Sequence, residues 1–142
     1  MKKNKNGFSL IELLLVISII ALLATISIVS VNSLRVKARD TRRLADIKQL
    51  QANLQMYYMD HRFYPAGQLA SNTVLADNGF SNNPTGNIYL RPLPTNPTPA
   101  SDGVCPGNSV YTYTQLNNGS SYSLSFCHSI RGSQTVGPSS NN

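Results

Sequence analysis

The chain begins with one long apolar run and later turns to short alternating ones. From Phe8 to Val31 a single charge, Glu12, interrupts a row of Leu, Ile, Val and Ala with scattered Ser and Thr. About 20 apolar residues, each adding about 1.5 Å of helix, cross a bilayer, so this run is long enough to do so. Past Val31 no Pro or Gly appears until Pro65. In that interval Leu44, Ile47, Leu50, Leu54 and Tyr57 recur at spacings of three, three, four and three, with Arg, Lys, Asp and Gln on the other faces. Such spacing makes an apolar stripe on an amphipathic helix. The pattern predicts one helix from about Ser9 to about Asp60, whose second half carries a globular domain on its stripe. A coiled-coil partner is the alternative occupant of that stripe, on a short heptad pattern.

Beyond Pro65 the punctuation changes. Gly67, Gly79, Pro84 and Gly86 mark loops, and prolines at 92, 94, 97 and 99 exclude a regular helix or a central strand. An edge strand is predicted at Ile88–Leu90, followed by an extended crossing loop. "VYTYTQLNNGSSYSLSFC" is the clearest β signal. Val110–Leu116 and Tyr122–Cys127 alternate and are joined by a Gly-containing loop at 117–121, a hairpin. Tyr122, Leu124 and Phe126 fall on one strand face and are expected to pack on the helix stripe. The Ser/Asn/Gly-rich segment 132–142 reads as a frayed tail.

Charge refines this picture. The 142-residue chain has a formal net charge of +6. Lys2, Lys3 and Lys5 precede the apolar run, so the chain from Phe8 onward carries 6 − 3 = +3. A second basic group follows the run: Arg35, Lys37, Arg39, Arg42, Arg43 and Lys48. Attraction to anionic lipid headgroups is the first reading of this excess. Direct nucleic-acid binding is the weaker one, since no folded DNA-reading motif is visible. Cys105 and Cys127 both lie in the polar C-terminal part, where an even pair outside a membrane anchor suggests a disulfide; two buried thiols are the alternative. His61 and His128 are distant from each other and read as surface residues, and two Cys with two distant His do not make a zinc site. Asp77 and Asp102 read as turn residues. No nucleophile elbow, phosphate-cradling glycine loop or metal cluster is present, so neither an enzyme nor a cofactor is expected.

Three readings compete for the N-terminus. A secretory signal has an apolar core of about 7–15 residues and a small-x-small cleavage site, whereas this run is longer and the pattern around Ala24 to Ser33 is poor. A plain single-pass anchor fits the length and leaves Glu12 unexplained, because a charge in lipid is costly unless it serves a function. The third reading accounts for every feature. "KNGFSLIELLLVISIIALLATI" resembles the class III signal of type IV prepilins and of type II secretion pseudopilins: a basic leader ending in Gly7, then Phe8, then an apolar helix with Glu12 four residues on. The stretch ending in Tyr64-Pro65 is similar to the end of the long helix in the same superfamily, so the resemblance covers residues 1 to about 65.

The resemblance implies a type IV pilin-like α+β fold, with a long N-terminal helix packed against a small antiparallel sheet. It implies a leader at 1–7, a membrane-spanning and filament-core helix at 8–31, and an amphipathic continuation at 32–62. A β-rich head at 63–131 and the tail at 132–142 complete the chain. A membrane peptidase and methyltransferase would cut between Gly7 and Phe8, leaving 142 − 7 = 135 residues, and would methylate the Phe8 nitrogen. Glu12 would then pair with the Phe8 amine of a neighbouring subunit, since an unpaired buried charge is costly and pairing fixes register. Expected partners are identical and related subunits, the inner-membrane assembly platform and membrane lipid. Expected locations are the cytoplasmic membrane first, then an extracellular or periplasmic filament.

Two features cut across this. Basic residues are more numerous after the run than before it, so counting alone would put the C-terminal side in the cytoplasm; the motif is specific enough to outweigh the count. The resemblance to the major pseudopilin implies an acidic calcium-binding loop near the C-terminus, where this chain has few acids and a cysteine pair. The function expected is therefore a pilin of a type IV pilus-like filament, with the major pseudopilin of a type II secretion system as the alternative.

Overall fold

The computed structural model describes residues 8–70, 72–107 and 109–138, and of 27–30 the backbone alone. One helix, α1, runs from Leu10 to His61, within a residue of the predicted bounds at either end. The chain divides into two compact units, Met1–Lys37 and Ala38–Asn142.

In the first unit α1 is apolar on every side from Leu10 to Ile26, with Glu12 its one charge. The large apolar side chains of that stretch are solvent-exposed all round, from Leu10 at 80% to Val16 at 45%. A helix apolar on all faces needs a nonpolar surrounding, and this one is long and apolar enough to cross a membrane. Two of its hydroxyls are satisfied within the helix: Ser18 Oγ donates to Leu15 O at 2.8 Å and Thr25 Oγ1 to Leu22 O at 2.7 Å.

In the second unit the helix buries Asp40, Arg43, Ile47, Leu50, Leu54 and Tyr57, at spacings of three, four, three, four and three. Leu44, placed on the stripe by its apolarity, is 47% exposed. The stripe instead continues upstream through two charged residues. The helix stops at Arg62, whose φ of 64° is left-handed and whose N–H closes onto Tyr58 O at 2.8 Å, as an αL cap does.

The head holds two three-stranded antiparallel sheets. The first contains β1 (Val74–Ala76), β2 (Gly79–Ser81) and β3 (Ile88–Leu90) in the order β2-β1-β3, so Ile88–Leu90 is an edge strand as its prolines required. The β1–β2 hairpin lies in a region read as loop. Its strands are three residues long, and Asp77-Asn78 forms the two-residue turn between the Ala76–Gly79 pair. The second sheet contains β4 (Thr112–Leu116), β5 (Ser121–His128) and β6 (Gly132–Val136) in the order β4-β5-β6. Residues 132–136 are thus not a frayed tail. Leu124 pairs with Val136 and Phe126 with Gln134, and backbone pairing orders a strand whose own composition is polar.

Tyr122, Leu124 and Phe126 alternate inward at 3%, 0% and 6% exposure. They join Ile47, Leu50, Leu54 and Tyr57 of the helix in one core with Tyr64, Leu75, Phe80 and Tyr113. Tyr64-Pro65 joins the helix end to the β4–β5 hairpin. Tyr64 N donates to Gly119 O at 2.7 Å, Gln115 Nε2 to Tyr64 O at 2.6 Å and Tyr113 Oη to Pro65 O at 2.7 Å. Gly119 sits at φ +87°, and a Cβ there would stand 3.0 Å from Phe63 Cβ. That close approach is why the turn carries glycine.

Candidate functional site

The segment singled out in the sequence begins at Phe8, which is 80% exposed; Gly7 and the rest of 1–7 lie outside the described residues. Ser9 precedes the first helical residue, and Glu12 Oε2 accepts the Ser9 backbone N–H at 3.0 Å. The backbone N–H groups of Glu12 and Leu13 in turn donate to Ser9 O at 3.1 and 3.3 Å. This is the carboxylate half of a capping box, legible as Ser9-x-x-Glu12, a signal the reading of Glu12 as a pairing group passed over. The geometry adds a local role. In the isolated subunit the carboxylate satisfies an otherwise orphaned N–H at the positive end of the helix.

A second constellation, in the head, was missed. Arg43 is fully buried, and its guanidinium reaches three acceptors: Asp40 Oδ1 at 2.7 Å, Asp102 Oδ2 at 2.8 Å and Asn96 Oδ1 at 2.8 Å. Arg39 binds Asp102 in a two-pronged contact at 2.7 and 2.6 Å. Asp40 also accepts the backbone N–H of Ser129 at 3.1 Å and a very short hydrogen bond from Ser129 Oγ. His128 Nδ1 lies 3.5 Å from Asp40 Oδ2.

Two arginines therefore neutralise two aspartates, and the cluster fastens the proline loop, the 102–105 turn and the β5–β6 turn to α1. Burial pushes the Asp40 carboxyl up, but Ser129, Arg43 and His128 together outweigh it and hold it below the ordinary value. Asp102 is held low first by hydrogen bonds from Arg39, against its burial, and then by Arg43. Arg39 and Arg43 are thus not headgroup ligands, and Asp102 is more than a turn residue. The signal available was the three-four spacing, which runs upstream from Ile47 to Arg43 and Asp40.

Asp77 likewise does more than turn the chain. It accepts Asn87 N at 2.7 Å and Tyr89 Oη at 2.9 Å, and His61 Nε2 lies 3.1 Å away. Tyr57 stacks on His61 with ring centroids 4.2 Å apart, so His61 is half-buried rather than a plain surface residue. The Asn87 N–H, the Tyr89 hydroxyl and His61 hold the Asp77 carboxyl below its usual range. Cys105 and Cys127 are joined by a disulfide of 2.07 Å, and Cys105 N donates to Asp102 O at 2.9 Å, which places the bridge beside the ion cluster. Among the described residues no three His, Cys, Asp or Glu side chains are placed to hold a metal ion.

Comparison with known proteins adds two matches. Residues 2–28 match the family model of the prokaryotic N-terminal methylation motif. The chain is 31% identical over 105 residues to the type II secretion system core protein G of Pseudomonas aeruginosa, covering 68% of this chain and 70% of that protein. No solved structure matches.

Proposed function

Because the chain belongs to the type IV pilin and pseudopilin family, we propose that it is the pilin of a type IV pilus-like filament, processed between Gly7 and Phe8 and assembled through its apolar helix. The observation that carries this reading is a helix apolar on every face, bearing one carboxylate next to the junction that the methylation motif spans. In the membrane, lipid covers that helix. In the filament, the helices of other copies replace lipid, and Glu12 exchanges its Ser9 contact for the methylated Phe8 amine of a neighbour. Residues 8–31 serve as span and filament core, 32–62 as the amphipathic continuation, and the head from 63 onward faces outward. The partners are a prepilin peptidase and methyltransferase, further pilin subunits and an inner-membrane assembly platform. The head is extracytoplasmic throughout.

A second reading, the major pseudopilin of a type II secretion system, is favoured by the relative matched above. That match covers 68% of the chain, more than the helix alone, so it reaches into the head. The occupied carboxylates weigh the other way. Asp40 and Asp102 are saturated by Arg43, Arg39 and Ser129, leaving no free acid there for the calcium loop that the pseudopilin resemblance implies.

Intact-mass measurement on protein from its native cells tests the shared part of both readings. The expected mass is that of the chain from Phe8 plus one methyl group; a chain still carrying Met1–Gly7 would sink both. Deleting the gene separates them: loss of sheared surface filaments supports the pilus, and retained exoproteins with filaments intact support the pseudopilus.

A further inference from the structure

The turn between β5 and β6 holds a histidine whose ring nitrogen Nδ1 meets two neighbours with opposite demands. His128 pairs with Gly132 across the strands, and Ser129, Ile130 and Arg131 form the loop between them. Gly132 sits at φ +72°, the left-handed position on which a three-residue hairpin loop closes. His128 Nδ1 accepts the Ile130 backbone N–H at 3.2 Å, the part that an Asn or Asp side chain plays toward the N–H two residues on. A nitrogen that accepts an N–H carries no proton, so the ring in this arrangement is neutral and protonated at Nε2. The same Nδ1 lies 3.5 Å from Asp40 Oδ2 on α1. Bare, it turns a lone pair toward that carboxylate; protonated, it turns a charged donor toward it.

Asp40 has room for that donor. An ionised carboxylate offers about four acceptor positions, two on each oxygen. Arg43 Nη1 at 2.7 Å and Ser129 N at 3.1 Å take those of Oδ1, and the Ser129 hydroxyl takes one on Oδ2. The position left over is on the oxygen nearest His128. The His128 side chain is 27% exposed, so protons reach it from solvent. The other charges around it are accounted for. Arg43 is held by Asp40 and Asp102, Arg39 binds Asp102 on the 102–105 turn, and Arg131 in the loop itself is exposed.

We propose that His128 is a proton-operated latch: neutral, it holds the tip of the β5–β6 turn through the Ile130 N–H, and protonated, it releases that N–H and binds Asp40 on α1. One proton from solvent adds to Nδ1, and no other covalent bond changes. Histidine changes charge between about pH 5 and 8, a range in which Asp40, with its lowered carboxyl pKa, stays ionised. Acid therefore loosens the tip, where Ile130 is 77% exposed, while adding a bond between the hairpin and the helix. The latch lies within the head, so it stands whichever filament the subunit builds.

The test is an NMR titration of the full, isotopically labelled chain in detergent micelles, from about pH 8 to about pH 5. The neutral ring should carry its proton on Nε2. As the ring gains its second proton, the Ile130 amide should lose roughly fivefold in hydrogen-exchange protection, corrected for the intrinsic effect of pH; that is the worth of one ordinary hydrogen bond. The Asp40 carboxyl carbon should shift with the same midpoint, while that of Asp46 on the same helix stays in place. His128→Gln keeps an acceptor for the Ile130 N–H and has no proton to gain, so its Ile130 protection should not change across the range. A neutral ring protonated at Nδ1 overturns the latch, and so does an Ile130 amide that stays protected while the ring titrates. A step that persists in His128→Gln also overturns it. Release of Ile130 with Asp40 unmoved does the same, since the new proton then faces water.

Discussion

Arg43→Ala is the sharpest test of how the head is held to its helix. The substitution removes hydrogen bonds to Asp40, Asp102 and Asn96 and takes the cluster from neutral to a net charge of −1. Asp102 keeps Arg39, and Asp40 keeps Ser129, so neither carboxylate is stripped bare. Both are nevertheless at least nine-tenths buried, and breaking a buried ion pair from one side costs roughly 3–5 kcal/mol. For a unit of about 100 residues, 1 kcal/mol moves Tm by roughly 4 °C or more, so the melting temperature should fall by roughly 12–20 °C. Arg43→Lys should recover little, because one ammonium cannot reach acceptors that the planar guanidinium fork spans.

The pH dependence gives a second readout. Asp40 and Asp102 have lowered carboxyl pKa values, so their stabilisation is complete above the unfolded value of about 4 and is lost as pH falls through the folded values. Removing Arg43 raises the folded values. The difference in Tm between the two proteins should therefore be full at neutral pH and shrink below about pH 4. The assay is thermal denaturation by circular dichroism in detergent across pH. A drop of only a degree or two at neutral pH, or a difference that grows in acid, would refute the account.

Three further outcomes are expected. Reducing the Cys105–Cys127 bridge, which closes a loop of 22 residues in sequence separation, should cost about 3 kcal/mol on the chain-entropy estimate, read as a lower denaturation midpoint; thiol labelling of denatured, unreduced protein should find no free cysteine. Burial raises the Tyr122 hydroxyl to about 12 and raises Tyr113 and Tyr111 as well. A raised folded pKa gives stability that is complete below the unfolded value of about 10 and is lost as pH climbs through the folded one. Alkaline unfolding should accordingly begin above about pH 10 and track tyrosinate absorbance at 295 nm, a standard wavelength on the order of 300 nm; ionisation of all seven tyrosines at ordinary values without unfolding would contradict it. For Glu12, Glu12→Gln keeps an acceptor for Ser9 N and loses the charge, whereas Glu12→Ala loses both. If the charge pairs subunits, sheared filament yield should collapse for both while leader cleavage persists, and near-normal yield from Glu12→Gln would leave capping as the residue's whole role.

The parts legible in the sequence are those where one physical signal acts alone. The apolar run, the absence of Pro and Gly from 32 to 64, and the period-two alternation of Tyr122, Leu124 and Phe126 each specify an element without help from distant residues. Tertiary pairing decided the rest. β6 is polar and forms because β5 offers it a ladder, and β1 and β2 are too short for a period to be visible. The polar end of the helix stripe was hidden for a different reason. Arg43 and Asp40 obey the helical spacing, but a reading keyed to apolarity passes to Leu44 instead, and only the approach of Asp102, 59 residues away in sequence, makes burial of an arginine tolerable. At Glu12 a specific motif drew attention to one role and away from the Ser9-x-x-Glu12 spacing inside it.

The same bonds determine where the subunit's charge ends up. All six acids have a partner within the chain: Glu12 with Ser9, Asp40 and Asp102 with the arginines, Asp46 with Tyr111, Asp60 with Tyr89, and Asp77 with Asn87 and Tyr89. Of the nine Lys and Arg from Phe8 onward only Arg39 and Arg43 are not exposed, so seven cations lie on the surface. Four of the six acids are buried or half-buried, whereas seven of these nine cations are exposed. Identical positive surfaces repel one another when copies stack, and that repulsion is screened over about 10 Å at moderate salt. On the filament reading, cohesion between copies then comes from the apolar faces of residues 8–26, which salt does not weaken. Higher ionic strength should therefore favour association of the subunit with itself, read as a sedimentation coefficient in detergent that rises with salt; one that falls would show that charge pairs hold the copies together.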